Sequence, residues 1–196
     1  MFSIASFAQK AFEGRIEFLV EYVDLPPGAD GVEAMLPKRA TWMVRNQQTR
    51  IVQHVPLAGW QVFLYLPELD SFYQQIELFD KNMLFAKPLV NEMNRFREIP
   101  KEDTKMLLGF ELKQSLLQNA NGDVLTIWYT PKFRNTSGTE LHEIKGLPLD
   151  FEIMRNGIKY RLTATKITEE PVDDTYFQVP SDHVRIRIDD LHKILD

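Results

Sequence analysis

The residues best able to do chemistry in this chain are its four histidines, His54, His142, His183 and His192. No two of them stand three or four apart, so the pairing that builds a zinc site on one helical face is missing. His142 sits in the string Glu140-Leu141-His142-Glu143, which offers a nitrogen and two carboxylates to a cation. In a loop or at a strand end, the ordinary reading of such a string is a solvated cluster. Asp173-Asp174 and Asp189-Asp190 are carboxylate pairs, but adjacent side chains on an extended chain point to opposite faces. Neither pair is therefore a natural acid/base dyad. The nine glycines stand singly, and no nucleophile-elbow, dinucleotide-binding or phosphate-loop spacing occurs. There is no cysteine, which excludes disulfides, thiolate metal sites, iron–sulfur clusters and cysteine nucleophiles. The chain thus points to no catalytic residue, no metal and no cofactor, and it reads as a non-enzyme. A hydrolase with a site assembled from distant residues is the remaining enzymatic reading.

The one suggestive concentration is aromatic. Trp42, Trp60, Phe63, Tyr65, Phe72, Tyr73, Phe79, Met83 and Phe85 crowd one stretch. An ordinary core accounts for them. A sharper reading is a concave groove for an apolar ligand, lined by Trp42, Trp60, Phe63, Tyr65 and Phe72. Aromatic residues can also stack on bases, but that use needs basic neighbours. The charges here are Glu68, Asp70, Glu77 and Asp80, and the whole chain carries a net charge of −5. No nucleic acid is expected as a partner.

The elements that must position these residues are mostly strands. Ile16, Phe18, Val20 and Tyr22 alternate with Arg15, Glu17 and Glu21, the pattern of a half-buried strand over Arg15–Val23. Strands are predicted over Thr41–Arg45 and Arg50–Val55, joined by the polar turn Asn46–Thr49, and over Phe72–Phe79 and Met83–Ala86. Trp60–Leu66 is apolar on both faces apart from Gln61, so it should be buried on both sides or border a cavity. From Leu89 to Arg97 the period becomes helical: Leu89, Met93 and Phe96 share a side, after Pro88 and before Pro100. Strands return over Thr104–Leu108 and Phe110–Gln118, with Gly109 as a bulge or bend, and over Val124–Thr130, Leu149–Arg155 and Lys159–Glu169. Asn121-Gly122 and Asn156-Gly157 are hairpin turns. Pro131–Gly138 reads as a loop, and Ile188–Leu195 as a short helix. Roughly ten strands with short turns give a mainly β chain whose antiparallel sheet must curl or stack to hide a face.

The first residues, Met1 to Ala8, are apolar and small, and Ser6 and Ala8 suit a signal-peptidase cut before Gln9. The run lacks a basic start and is short for a signal core, so an ordinary strand or helix is the plain alternative. On the export reading, 1–8 are the remnant of a signal peptide and 9–196 a single domain. No apolar run approaches the ~18 residues a membrane helix requires.

Four phrases occur together in order. Phe12-Glu13-Gly14 opens a strand, Met35-Leu36-Pro37 precedes the second, and Gly146-Leu147-Pro148-Leu149 enters the penultimate one. Ala164-Thr165-Lys166, then Val172 and Phe177-Gln178-Val179-Pro180-Ser181, close the set. In this order the chain resembles an uncharacterised family of exported Gram-negative bacterial proteins related to the lipoprotein-carrier (LolA-like) fold. The resemblance implies an open half-barrel, a strongly curved antiparallel sheet with a few short helices on its concave face. It also implies a periplasmic protein that holds a lipid, lipoprotein or other apolar ligand in that groove, with peripheral envelope association. The alternative is a structural or interaction protein of the cell envelope with a filled core. In such a carrier Leu89, Met93 and Phe96 would face inward from a removable helical lid.

Overall fold

The structure is a computed structural model, and it describes residues 9–25, 31–56, 59–78, 81–89, 96–119, 121–155 and 158–186. Twelve of the described strands form one sheet. Its first half is a meander: β2 (Gly14–Asp24), β3 (Arg39–Arg45), β4 (Gln48–Val55), β5 (Gly59–Leu66), β6 (Ser71–Leu78) and β7 (Lys81–Pro88). Its second half is another: β8 (Arg97–Leu107), β9 (Phe110–Gln118), β10 (Val124–Thr130), β12 (Leu147–Arg155) and β13 (Ile158–Glu169). The halves are stitched where β13 pairs with β2, from Lys159 opposite Asp24 to Glu169 opposite Gly14. The last described strand, β14 (Val184–Ile186), lies on the far side of β7. A two-stranded ribbon, β1 (Lys10–Ala11) with β11 (Phe133–Arg134), stands apart. Among the described residues, 3-10 turns stand at Val32–Met35, Pro67–Leu69 and Asp174–Phe177, and Leu89 is also 3-10.

The order β14-β7-β6-β5-β4-β3-β2-β13-β12-β10-β9-β8 leaves the sheet open, because β14 and β8 do not pair. It also forbids a flat sheet. Ten strand spacings separate β7 from β8, about 48 Å if laid flat. The connection from Pro88 to Arg97 reaches at most about 32 Å fully extended. The rings agree: Trp42 on β3 and Phe151 on β12 lie three spacings apart in the sheet, yet their centroids are 5.3 Å apart. One face is turned inward, and it gathers a single core cluster from β2 through β6 and from β9 through β13.

Several expectations need correction. Arg97 is a strand residue, not the end of a helix, and Pro100 lies inside β8. That position is tolerable because β8 is an edge strand, where a missing N–H costs no ladder bond. Residues 90–95, which include Met93, lie outside the described residues, as do 1–8, the turn expected at Asn156-Gly157 and the helix expected at Ile188–Leu195. Gly109 is no bulge. With Leu108 (φ 51°) and Gly109 (φ 78°) both left-handed, the two make a tight turn between β8 and β9. The sheet is not wholly antiparallel either, since β14 runs parallel to β7 with Val184 opposite Met83.

The direction of β14 follows from what precedes it. After β13, residues 170–183 form a strap across the outer face of the first meander. Val172 and Phe177 are buried there with Val62, Leu64 and Leu66 of β5. Arg45 holds the strap by donating to the Val172 carbonyl (2.6 Å) and pairing with Asp174 (2.7 Å), and Arg50 donates to the Tyr176 carbonyl (3.1 Å). β5 is thus buried on both faces as its sequence demanded: Phe63 and Tyr65 inward, Val62, Leu64 and Leu66 under the strap.

Candidate ligand-binding hollow

Among the described residues, the inner face is filled at one end and borders a hollow at the other. At the filled end lie the turns Asn46-Gln47 and Pro67–Asp70, and there the loop 135–146 folds in. Leu141 and Ile144 are fully buried in the main cluster, and Thr136, Ser137 and Thr139 are buried with them. The loop keeps its polar atoms satisfied. Asn135 donates to the Leu141 carbonyl (2.6 Å), Thr136 to the Phe12 carbonyl (3.0 Å), and Thr49 to the Ser137 carbonyl. Part of the segment read as the loop Pro131–Gly138, with the residues that follow it to 146, therefore occupies the concave side, where short helices were expected.

At the other end is a hollow of about 640 Å³. Both halves of the sheet border it. Phe63 on β5 and Phe72 on β6 face Leu125 on β10 and Ile153 on β12 across it, and Phe96, just before β8, joins them. Its mouth is ringed by strand ends and turns: Leu36 and Pro37, Val55, Asn121, Met154 and Ile158. Phe63 and Phe72 stack at 6.1 Å, and the Lys87 ammonium sits 5.5 Å above the Phe72 ring.

Polar groups share the wall. Gln53 donates to Gln61 at 3.1 Å, and Gln74, Asn119 and Asp123 also border the space. Asn119 is held by its own turn, its carbonyl oxygen accepting from the amides of Asn121 and Asp123 at 2.9 Å each. Tyr22 donates to the Pro37 carbonyl at 2.8 Å. Burial, followed by the nearby Tyr160 and Glu33, pushes its phenol well above the usual range, so it stays a neutral donor. The arrangement suits an amphiphile, with aromatic and aliphatic wall for a chain and, for a polar part, amides and a neutral phenol together with the charged side chains of Lys87, Asp123 and Glu140.

The eight residues singled out in the sequence fall into four places. Phe63, Phe72 and Phe96 border the hollow. Trp42, Tyr65 and Leu89 are buried in the main cluster. Trp60 stands on the outer face, 58% exposed, with its ring edge-on to His54 at 5.1 Å. Met93 is outside the described residues. The mouth residues Val55, Met154 and Ile158 were missed. They sit at strand ends beside turns, and nothing local marks which turns share a rim.

The histidines are scattered. His142 contacts the Thr139 carbonyl at 3.1 Å and His183 the Asp182 carboxylate at 3.0 Å, while His192 is outside the described residues. Among the described residues no three His, Asp or Glu side chains come together to hold a metal ion. No helix among them is long and apolar enough to cross a membrane.

The chain shares its fold with proteins of known structure. The match to PNGF-II in its P21 crystal form has a TM-score of 0.58 at 14% identity and covers 94% of this chain. This chain spans only 33% of that one. An uncharacterised conserved protein from Thermus thermophilus matches nearly end to end, at TM-score 0.52, 9% identity, and 89% and 91% of the two chains. The Mycobacterium tuberculosis lipoprotein LppX is a looser likeness, with TM-score 0.39, 12% identity, and 82% and 89% covered. No family model and no curated protein sequence matches the chain.

Proposed function

We propose that this chain is a non-enzymatic binding protein that holds an amphiphile, a lipid or a lipidated segment, in the hollow between the two halves of its sheet. The observation that carries the reading is the hollow itself. It has about 640 Å³ of space bordered by Phe63, Phe72 and Phe96, within the roughly 300–1,000 Å³ of small-molecule sites. An open half-barrel of the lipoprotein-carrier type fits the linear strand order and the bend that the β7–β8 connection imposes. Each methylene buried in such a groove contributes about 0.8 kcal/mol. Tyr22 and the rim amides, with Lys87, Asp123 and Glu140 beside them, would offer hydrogen bonds and both signs of charge to a polar headgroup.

Export to the periplasm belongs to the same proposal. It is supported by the Ser6-Phe7-Ala8 cleavage pattern and by the resemblance of the ordered phrases. The test is native mass spectrometry of protein purified from the envelope fraction, together with its N-terminal sequence. A reproducible bound amphiphile that Phe63→Arg abolishes, on a chain beginning at Gln9, is the expected result. An empty protein with no affinity for fatty acids or phospholipids overturns the binding reading. It would leave the alternative, an envelope structural protein with a filled core. That alternative draws on one observation, the filling of half the inner face by Leu141 and Ile144.

A further inference from the structure

The wall of the hollow carries more amides than an acyl chain can use. Five carboxamides border it: Gln53, Gln61, Gln74, Asn119 and Asn121. On the first meander they are interleaved with rings. Gln74 stands directly opposite Phe63 across the β5–β6 ladder. Gln61 and Phe72 are the next residues on the same face of those two strands. The amides keep unused capacity. Gln61 accepts from Gln53 at 3.1 Å and retains both of its own amide hydrogens. Gln74 has no hydrogen bond among the described residues. On the second meander, the Asn119 amide donates to one oxygen of Asp123 at 2.8 Å, which fixes the carboxylate and leaves its other oxygen to accept.

The charges on this wall are of both signs, Lys87 against Asp123 and Glu140. An anionic headgroup would meet two carboxylates with one ammonium to offset them. No described arginine lines the space to grip a phosphate. A quaternary ammonium would leave the amide N–H groups without an acceptor. A polyhydroxylated headgroup answers every group, because each hydroxyl both donates and accepts. It can serve carboxylate, ammonium and carboxamide alike. A carboxamide also presents its donor and acceptor side by side, as neighbouring hydroxyls of a sugar ring do. The C–H face of that ring packs on aromatic faces such as those of Phe63 and Phe72. We infer that the hollow selects its amphiphile by a sugar headgroup. Gln61 and Gln74 hold the hydroxyls beside Phe63, and Asp123 accepts from them on the opposite wall. This narrows the ligand class of the binding function proposed above, and it rests on that reading.

The test is calorimetric titration of the full chain with octyl compounds below their micelle concentrations. Octyl glucoside is compared with octyl tetraethylene glycol ether, octanoate and octylphosphocholine, and with glucose as the arm that lacks a chain. Octyl glucoside should bind at least about tenfold more tightly than the other three octyl compounds, the worth of one or two neutral hydrogen bonds. Glucose should bind at least about a hundredfold more weakly than octyl glucoside, since it buries no methylenes. Gln74→Leu, which keeps the size of the side chain, should weaken octyl glucoside about fivefold and change the ether by less than about twofold. Octanoate, octylphosphocholine or the ether binding as tightly as octyl glucoside overturns the sugar inference and leaves the amphiphile reading standing. So does a Gln74→Leu loss that is equal for glucoside and ether. Glucose binding as tightly as octyl glucoside overturns the lipid source, makes the ligand a free saccharide and sinks the function proposed above. Binding of none of the octyl compounds overturns both.

Discussion

The two ends of the inner face differ although the same strands build both. At one end every strand runs into packed chain. Gly138, in the folded-in loop, lies so close to the Gln47 carbonyl that a Cβ there would stand 2.0 Å from its oxygen, and 2.8 Å from the Pro67 ring. At the other end the strands stop at turns that ring an open mouth, and Met154 is 38% exposed beside the hollow. The sheet's bend creates a concave face too large for its own side chains to fill. The chain fills half of it with residues 135–146 and leaves half open. Close backbone packing marks the filled end, and the proposed binding falls to the other.

The sharpest way to break that comparison is Gly138→Ala. The position combines a left-handed φ of +60° with contact to backbone that cannot move aside. The expected loss exceeds about 4 kcal/mol, the range reserved for clashes in packed regions. It would be read from urea denaturation, or from a failure to accumulate folded protein. A loss under about 1 kcal/mol, the cost of the φ value alone, would show that the loop is loosely seated and that both ends are open.

This contrast was legible in part. Alternation placed Phe63 and Tyr65 on one face of β5 and Val62 and Leu64 on the other, and both faces are buried. The same parity puts Trp60 on the outer side. What the sequence hid was the cover. Val172, Phe177 and Val179 lie in a stretch with no period, and only the fold shows that they close the outer face of β5. The loop 135–146 was hidden for a related reason. Asn135, Thr136, Ser137 and Thr139 are surface residue types, and they become core only because each finds a partner there. The bend was legible only in retrospect, as the short β7–β8 connection measured against the width of the sheet.

The outer face of the second meander offers an intermediate case, since it is closed by charge. Asp150 on β12 is buried beneath Arg161 of β13 and Lys105 of β8, and Lys105 lies 4.3 Å above the Trp128 ring. Burial alone would raise the Asp150 carboxyl. Its hydrogen bonds to Arg161 and Lys105 outweigh that and hold it below the usual carboxylate range. A lowered folded pKa means the network's stabilisation is complete above the ordinary carboxylate pKa, near pH 4. It is lost as pH falls through the lower folded value. Asp150→Asn should therefore cost about 2 kcal/mol at about pH 6, because two cations lose their partner. The gap between variant and wild type should close as pH falls through the lowered titration range of the folded carboxyl. A gap that stays constant as the pH of urea titrations is taken down through that range would mean that packing, not charge, closes this face.

The smallest effect on stability should come from the mouth, and there it separates the two ends most cleanly. Met154→Arg introduces a charge at a rim position that is already part-exposed, where the long side chain can lay its methylenes along the wall and keep its guanidinium in water. The stability read from urea unfolding should move by no more than about 0.5 kcal/mol, as for surface substitutions away from packed features. Any amphiphile retained through native purification should fall sharply, because a guanidinium at the opening must be displaced or desolvated as a chain passes it. Stability unchanged with retention lost would assign the two ends different tasks on one concave surface. A destabilisation approaching that of Gly138→Ala would instead mean that the mouth is packed as tightly as the filled end, and the space under Phe63 would then be a defect in packing rather than a site.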